Sequence, residues 1–262
     1  MGKAEQTASG GMKHTACCIA LVGLAGTFGS MVASAETTVW IGGTSGSVFE
    51  ETNWDNGVPH NNARIARFTN SVTFVAENKE KGWYVNGVEL ADGVTVKDNT
   101  RNNPVSAEDG QRIFDIGKGA KFVNTYVFYG KPELTLVKRG EGVLESSWCG
   151  SGNSRYKDVI VEGGTLYTHY SGANCRLQPY SNLIVRAGAE IKITDNNIVS
   201  TNGTLVTVDA LGKIDCNNRL QTWPGLEGYG IITNAGKGVR LTLEHSGKVF
   251  SGEIHGKLIV HD

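Results

Sequence analysis

Glycines at positions 140, 164, 188, 212 and 236 stand 24 residues apart, and Gly117 and Gly93 extend the series backwards at intervals of 23 and 24. Self-similarity at a fixed period of this size is the mark of a repeat architecture, and it restricts the fold more than any other feature of the chain. The flanks repeat too. Leading into the glycines are "RIFDI", "LTLVKR", "DVIVEG", "NLIVRA", "VTVDAL" and "GIITNA", rich in β-branched and large apolar residues of the kind strands favour. Sampled at the same interval, Leu136, Ile160, Ile184, Val208 and Ile232 form an aliphatic row. After the glycines, "EGVLES", "TLYTHY", "AEIKIT" and "KIDCNN" alternate roughly between apolar and polar. Each unit therefore reads as strand, glycine corner, strand.

No stretch beyond residue 35 shows a helical period with caps, which argues against a doubly wound α/β fold. Short strands without helices suit a β-sandwich or a parallel β-solenoid. A sandwich tolerates hairpins of varied length and advertises tight Asn-Gly or Asp-Gly turns. Here "NG" at Asn56, Asn86 and Asn202 and "DG" at Asp92 and Asp109 lie mostly outside the regular region. A solenoid demands nearly constant circuits, because each coil rests on the one before with strands about 4.8 Å apart. The spacing thus predicts an all-β parallel β-helix of about 24 residues per coil, with the aliphatic row inside. On that reading Ile184→Asp is far more damaging than Lys192→Asp. Residues 36–92, less regular and holding three of the five Trp, are expected to form an N-terminal β cap on coils spanning 93–262. "GEIHGKLIVHD" reads as a last strand with little to cover it.

Residues 1–35 read as a cleavable signal peptide: Lys3 and Lys13, the apolar "CCIALVGLAG", and the small-x-small site Ala33-Ser34-Ala35, with cleavage before Glu36. Met12 opens a signal of ordinary length and is an alternative start. The apolar run is short and interrupted by glycine, so a membrane span is not expected, and Cys17 and Cys18 precede that run where a lipidated cysteine should follow it. Removing Lys3, Lys13 and Glu5 with this segment leaves 23 basic against 25 acidic residues. Nucleic acid and anionic membrane call for a basic excess, which the chain does not have.

Leu134–Thr168, "LTLVKRGEGVLESSWCGSGNSRYKDVIVEGGTLYT", resembles the autotransporter-associated β-strand repeat at Leu136, Lys138, Gly140, Gly142, Leu144, Gly152, Asn153, Tyr156, Val159, Val161, Gly164, Thr165 and Leu166. "GYGIITNAGKGVRLTLEHSGKVFSGEIHGKLIV" resembles a second such unit through its "FSG". The opening stretch, with Trp40, Asn53, Trp54, Pro59, Ala66 and Phe68, is similar to the entry segment of secreted passenger-type proteins. The resemblance implies a right-handed parallel β-helix outside a bacterial cell of the two-membrane type, and no activity. Many such proteins carry a translocating C-terminal barrel, for which this chain shows no series of barrel-length strands.

Motifs of chemistry are sparse. Cys149, Cys175 and Cys216 are odd in number for an exported chain. A Cys149–Cys175 disulfide is geometrically admissible between neighbouring coils, and thiols packed as small apolar residues is the preferred reading. No close Cys or His pair suggests zinc, and His60, His169, His245, His255 and His261 are dispersed. Neither a G-x-S-x-G elbow nor a P-loop occurs. Carboxylates at Asp195, Asp209, Asp215, Glu162 and Glu190 come from adjacent units, as they would in a polysaccharide lyase or hydrolase built on a β-helix. Asp195 and Asp215, however, open Asn-containing loops where local backbone bonding explains them. Trp40, Trp54, Trp83, Trp148, Trp223, Tyr156, Tyr167, Tyr170 and Tyr180 are candidates for a sugar-stacking surface. Against this, the first three Trp are expected to fill the cap and the others to cover an outer face. Asn202-Gly203-Thr204 is a glycosylation sequon, expected to be idle in a bacterial protein. The expectation is an exported, non-enzymatic structural or adhesive module of the surface or envelope, without catalytic, metal or cofactor residues, meeting cell-surface glycans or envelope proteins. The alternative is an extracellular β-helix that binds or cleaves polysaccharide.

Overall fold

The computed structural model describes residues 36–59, 64–74, 85–99, 110–124, 133–147, 155–169, 178–194, 203–217, 219, 221–242 and 248–261. The chain climbs as a β-solenoid of about 23 residues per turn with almost no helix. Two parallel sheets run its length. The first holds nine strands, among them Gln111–Ile116, Thr135–Arg139, Arg155–Val161, Gln178–Val185 and Leu205–Val208 in successive coils. The second holds eleven, among them Lys121–Asn124, Val143–Ser147, Thr165–His169, Glu190–Ile193 and Lys213–Asp215. Each coil gives one strand to the first sheet, turns a corner, and gives the next to the second.

Alternation decides which side chains enter the lumen. In Gln111–Ile116 the residues Arg112, Phe114 and Ile116 are buried while Gln111 and Asp115 are exposed, and in Glu190–Ile193 the buried pair is Ile191 and Ile193. Parallel pairing carries this parity from coil to coil. Leu136 lies beside Val159, Val159 beside Leu183, Leu183 beside Val206 and Val206 beside Leu226, a continuous buried file. Val161, Val185 and Val208 form a second. Burying one such side chain contributes about 1.5–3 kcal/mol, so the files supply the main cohesion.

The aliphatic row predicted at constant interval is not the row that forms. Ile160 does lie beside Ile184, but both are only half-buried, on the outer parity; Ile184 next meets Thr207, and Val208 meets Val185. Ile232 belongs to the other sheet, beside Ile214. Circuit length varies because corners and third sides differ: Glu36 pairs with Arg64, 28 residues on, and Lys213 with Ile231, 18 residues on. A sampling interval of 24 therefore slips between the inner and outer faces, which have period two.

The corners explain most of the glycine series and correct the rest. At Gly140 the backbone has φ +71°, and a Cβ would stand 2.2 Å from the Ile116 carbonyl one coil below. Only glycine satisfies both demands. In the coil containing Arg186-Ala187-Gly188-Ala189 the turn closes by an Ala189 N–H donating to the Arg186 carbonyl at 3.0 Å, with Gly188 at φ +76°. One coil later Gly212 N–H donates to the Asp209 carbonyl at 2.8 Å, and the left-handed position falls on Leu211, φ +66°. Gly212 is thus one residue out of phase with its apparent counterparts. Gly236 is no corner either, since it lies within the strand Ile231–Thr242.

Residues 36–92 contribute strands to the same two sheets: Glu36–Val39 pairs with Arg64–Phe68, and that strand with Gly87–Leu90. The first coil is filled by indoles. Trp40 and Trp54 meet edge to face with centroids 5.2 Å apart and rest on Phe74 and Phe68 of the second coil at 5.4 and 5.6 Å. Each indole N–H is satisfied by backbone, Trp40 by the Gly43 carbonyl at 3.0 Å and Trp54 by the Val48 carbonyl at 2.9 Å. This closes the lumen with aromatic surface without stranding a buried donor.

Candidate functional site

The carboxylates singled out by the sequence do not converge on one site. Glu162 accepts from Arg139 at 2.6 Å and Asp209 from Arg186 at 3.1 Å, both along the outer edge of the first sheet. Glu190 lies on the outer face of the second sheet between Lys213 at 3.0 Å and Lys192 at 3.4 Å. Asp215 accepts the Asn217 N–H at 3.0 Å, the local turn bond expected of an Asp before asparagines. Asp195 lies outside the described residues. Each of the other four is engaged by a cation or a backbone donor, and no group of three or more metal-capable side chains occurs among the described residues. No helix among the described residues is long and apolar enough to cross a membrane.

Cys216 is buried and unpaired, its thiol pushed up to about 12 by burial and then by the neighbouring Asp215 charge. That suits a packing role. Cys149 and Cys175 lie outside the described residues. His255 is exposed and contacts Glu253 at 2.8 Å.

Strand parity placed two cations in the lumen that were not singled out. Lys138 is fully buried in the position of an apolar residue, between Phe114 of one neighbouring strand and Val161 of the other. Its ammonium turns to the corner and donates to the carbonyls of Arg139 at 2.6 Å, Gly140 at 2.9 Å and Gly163 at 3.0 Å, the last on the next coil. Burial lowers its pKa to about 8 and the Asp115 carboxylate works against that shift. Arg112 is buried beside the Tyr156 phenol; burial lowers the guanidinium and raises the phenol, each partly offset by the other. The sign was present in the sequence, because Leu134, Leu136 and Lys138 share one parity, as do Arg112, Phe114 and Ile116. These are structural clamps rather than a reaction centre, for none of them reaches solvent.

The aromatics separate more sharply. Trp40, Trp54, Trp223 and Tyr156 are core residues. For Trp223 this corrects the expectation of an outer-face position: its strand, Thr222–Trp223, pairs with the far end of Ile231–Thr242 on the third side of the coil, and its ring faces inward. Trp83, Trp148 and Tyr170 lie outside the described residues. Tyr180 is half-buried. Tyr167 stands on the outer face of the second sheet, lining a shallow groove of about 390 Å³ with Lys121, Val143, Glu145, Thr165 and Lys192. Other grooves, such as that of about 260 Å³ beside Arg67, Glu89 and Asp115, are lined by charges and backbone without an aromatic.

Comparison with protein-family models, with curated proteins and with solved structures finds no match to this chain.

Proposed function

We propose that the protein is an exported structural and adhesive module, a β-solenoid that acts by presenting a rigid outer surface rather than by catalysis. One observation carries this reading: the described carboxylates that suggested chemistry are spread over two faces and neutralised where they stand, Glu162 by Arg139, Asp209 by Arg186 and Glu190 by Lys213 and Lys192. A general acid and base would need to converge on one substrate atom. Cross-coil ion pairs of this exposed kind contribute about 0–1 kcal/mol each and suit a solvated wall.

Export is supported by the first 35 residues, whose charged start, apolar centre and Ala-x-Ala ending have the order of a secretory signal. Kinship with passenger-type proteins is supported by the "VKRGEG" to "GGTL" unit, in which the family-like positions now have physical roles. Lys138 binds three carbonyls, Gly140 and Gly164 take left-handed corners, and Leu144 and Leu166 fill the lumen.

Expression of the full chain in a two-membrane bacterium, followed by fractionation and mass spectrometry of the N-terminus, tests the reading. The expected product starts at Glu36 and is found in the periplasm, on the surface or in the medium. A full-length cytoplasmic product refutes it.

A further inference from the structure

The outer face of the second sheet presents chemistry rather than mere polarity around Tyr167. Register fixes the arrangement: Glu145, Tyr167 and Lys192 are direct neighbours on successive strands, and Lys121, Val143, Thr165 and Glu190 form the adjacent column. The groove thus crosses four coils, and three steps of about 4.8 Å give it a length of about 14 Å. Its floor is the apolar Val143 and the Thr165 side chain, its central wall the tyrosine ring, and its ends the Lys121 and Lys192 ammonium groups.

An aromatic face packs on the apolar C–H side of a ring, while carboxylate, ammonium and hydroxyl groups around it pair with a ligand's hydroxyls. The charges balance locally. Lys121 pairs with Glu145, Glu190 is shared by Lys213 and Lys192, and Asp215 stands beside Lys192 in register. Three lysines against three carboxylates select neither a polyanion nor a polycation. The backbone of these inner strands is committed to ladders on both sides, so an extended peptide has no free edge to pair with.

We propose that this groove binds a short linear segment of a neutral glycan, one pyranose ring stacked on Tyr167 and its hydroxyls bonded to Glu145, Lys192 and Thr165. The inference rests on the adhesive part of the reading above and names its ligand class. The volume, near the lower end for ligand sites, suits a few sugar units held side-on at modest affinity.

The test is affinity electrophoresis of the exported full chain through gels containing soluble starch, a mixed-linkage β-glucan or a galactomannan, with polygalacturonate as the acidic arm. At least one neutral polymer is expected to retard the protein. Tyr167→Ala should weaken that retardation at least tenfold with thermal melting unchanged, and Tyr167→Phe, which keeps the ring, should retain most of it. No retardation by any neutral polymer, retardation by polygalacturonate alone, or an undiminished effect in Tyr167→Ala would overturn the proposal. Export is scored separately by fractionation. A blank gel with intact export removes the groove alone, and a glycan-binding protein that stays in the cytoplasm removes the export reading alone.

Discussion

Replacing Leu211 by glycine should stabilise the protein, against the usual direction for such a change. Leu211 holds φ +66° at the corner where the preceding coil has Gly188, and its side chain is 77% exposed. An L-residue with a Cβ in the left-handed region costs about 1–2 kcal/mol, and glycine removes that term. Against it stands the greater freedom glycine gives the unfolded chain, about 0.5–1 kcal/mol. Little packing is lost from a side chain so exposed. The difference favours Leu211→Gly by about 0.5–1 kcal/mol, which for a chain of this size raises the melting temperature by about 1–4 °C. Leu211→Ala keeps the Cβ and the strain, so it should gain nothing. Urea denaturation of the three proteins side by side, with the m-value held constant, reads the effect. A glycine variant no more stable than the alanine variant would refute the assignment of this corner.

Adjacent residues of one strand should respond oppositely to charge: Val161→Asp, in a buried file between Lys138 and Val185, should prevent stable folding, whereas Ile160→Asp, on the outer parity, should cost about 1 kcal/mol or less by denaturant titration. For Lys138 the folded pKa of about 8 lies below the model value of 10.5, so between those limits the unfolded chain holds a proton that the folded chain has released. Stability should therefore rise with pH across that window. At about 1.36 kcal/mol per unit the rise is at most about 3 kcal/mol, and Lys138→Met should abolish it; subtracting the variant's pH profile cancels the opposite contribution of Cys216, which falls from pH 9 upward. In a Cys149→Ser/Cys175→Ser background, Cys216 should resist a thiol reagent at pH 8 until denaturant is added, as measured by absorbance of the released chromophore.

What could be read from the chain divides along physical lines. Stacked parallel coils follow from strand-glycine-strand units at a near-constant interval, and the two indoles closing the first coil follow from the clustering of Trp40 and Trp54. Which parity faces inward did not follow. "VIV" at 159–161 and "LIV" at 183–185 are apolar on both faces, and only the corner geometry makes Leu183 and Val185 the inner pair. The glycine interval misled for the same reason: Gly212 and Gly236 fall on the period without turning the chain as Gly188 does, since coils lengthen and shorten at their third sides. Tyr167 was legible only as one aromatic of nine. Its neighbours Glu145 and Lys192 stand 22 and 25 residues away, and unequal offsets of that kind appear only once the ladder register is known.

Cross-coil register itself is best measured by disulfide trapping on the outer face of the first sheet, in a chain whose native cysteines are replaced by serine. Ile160→Cys with Ile184→Cys places two thiols on directly paired, parallel positions, within the Cα separation a disulfide accepts. The pair should oxidise rapidly to an intramolecular bond, while Ile160→Cys with Thr207→Cys, two coils apart, should not. Equal or faster bonding of the distant pair, or none in the paired positions of a folded protein, would contradict the stacked-coil account.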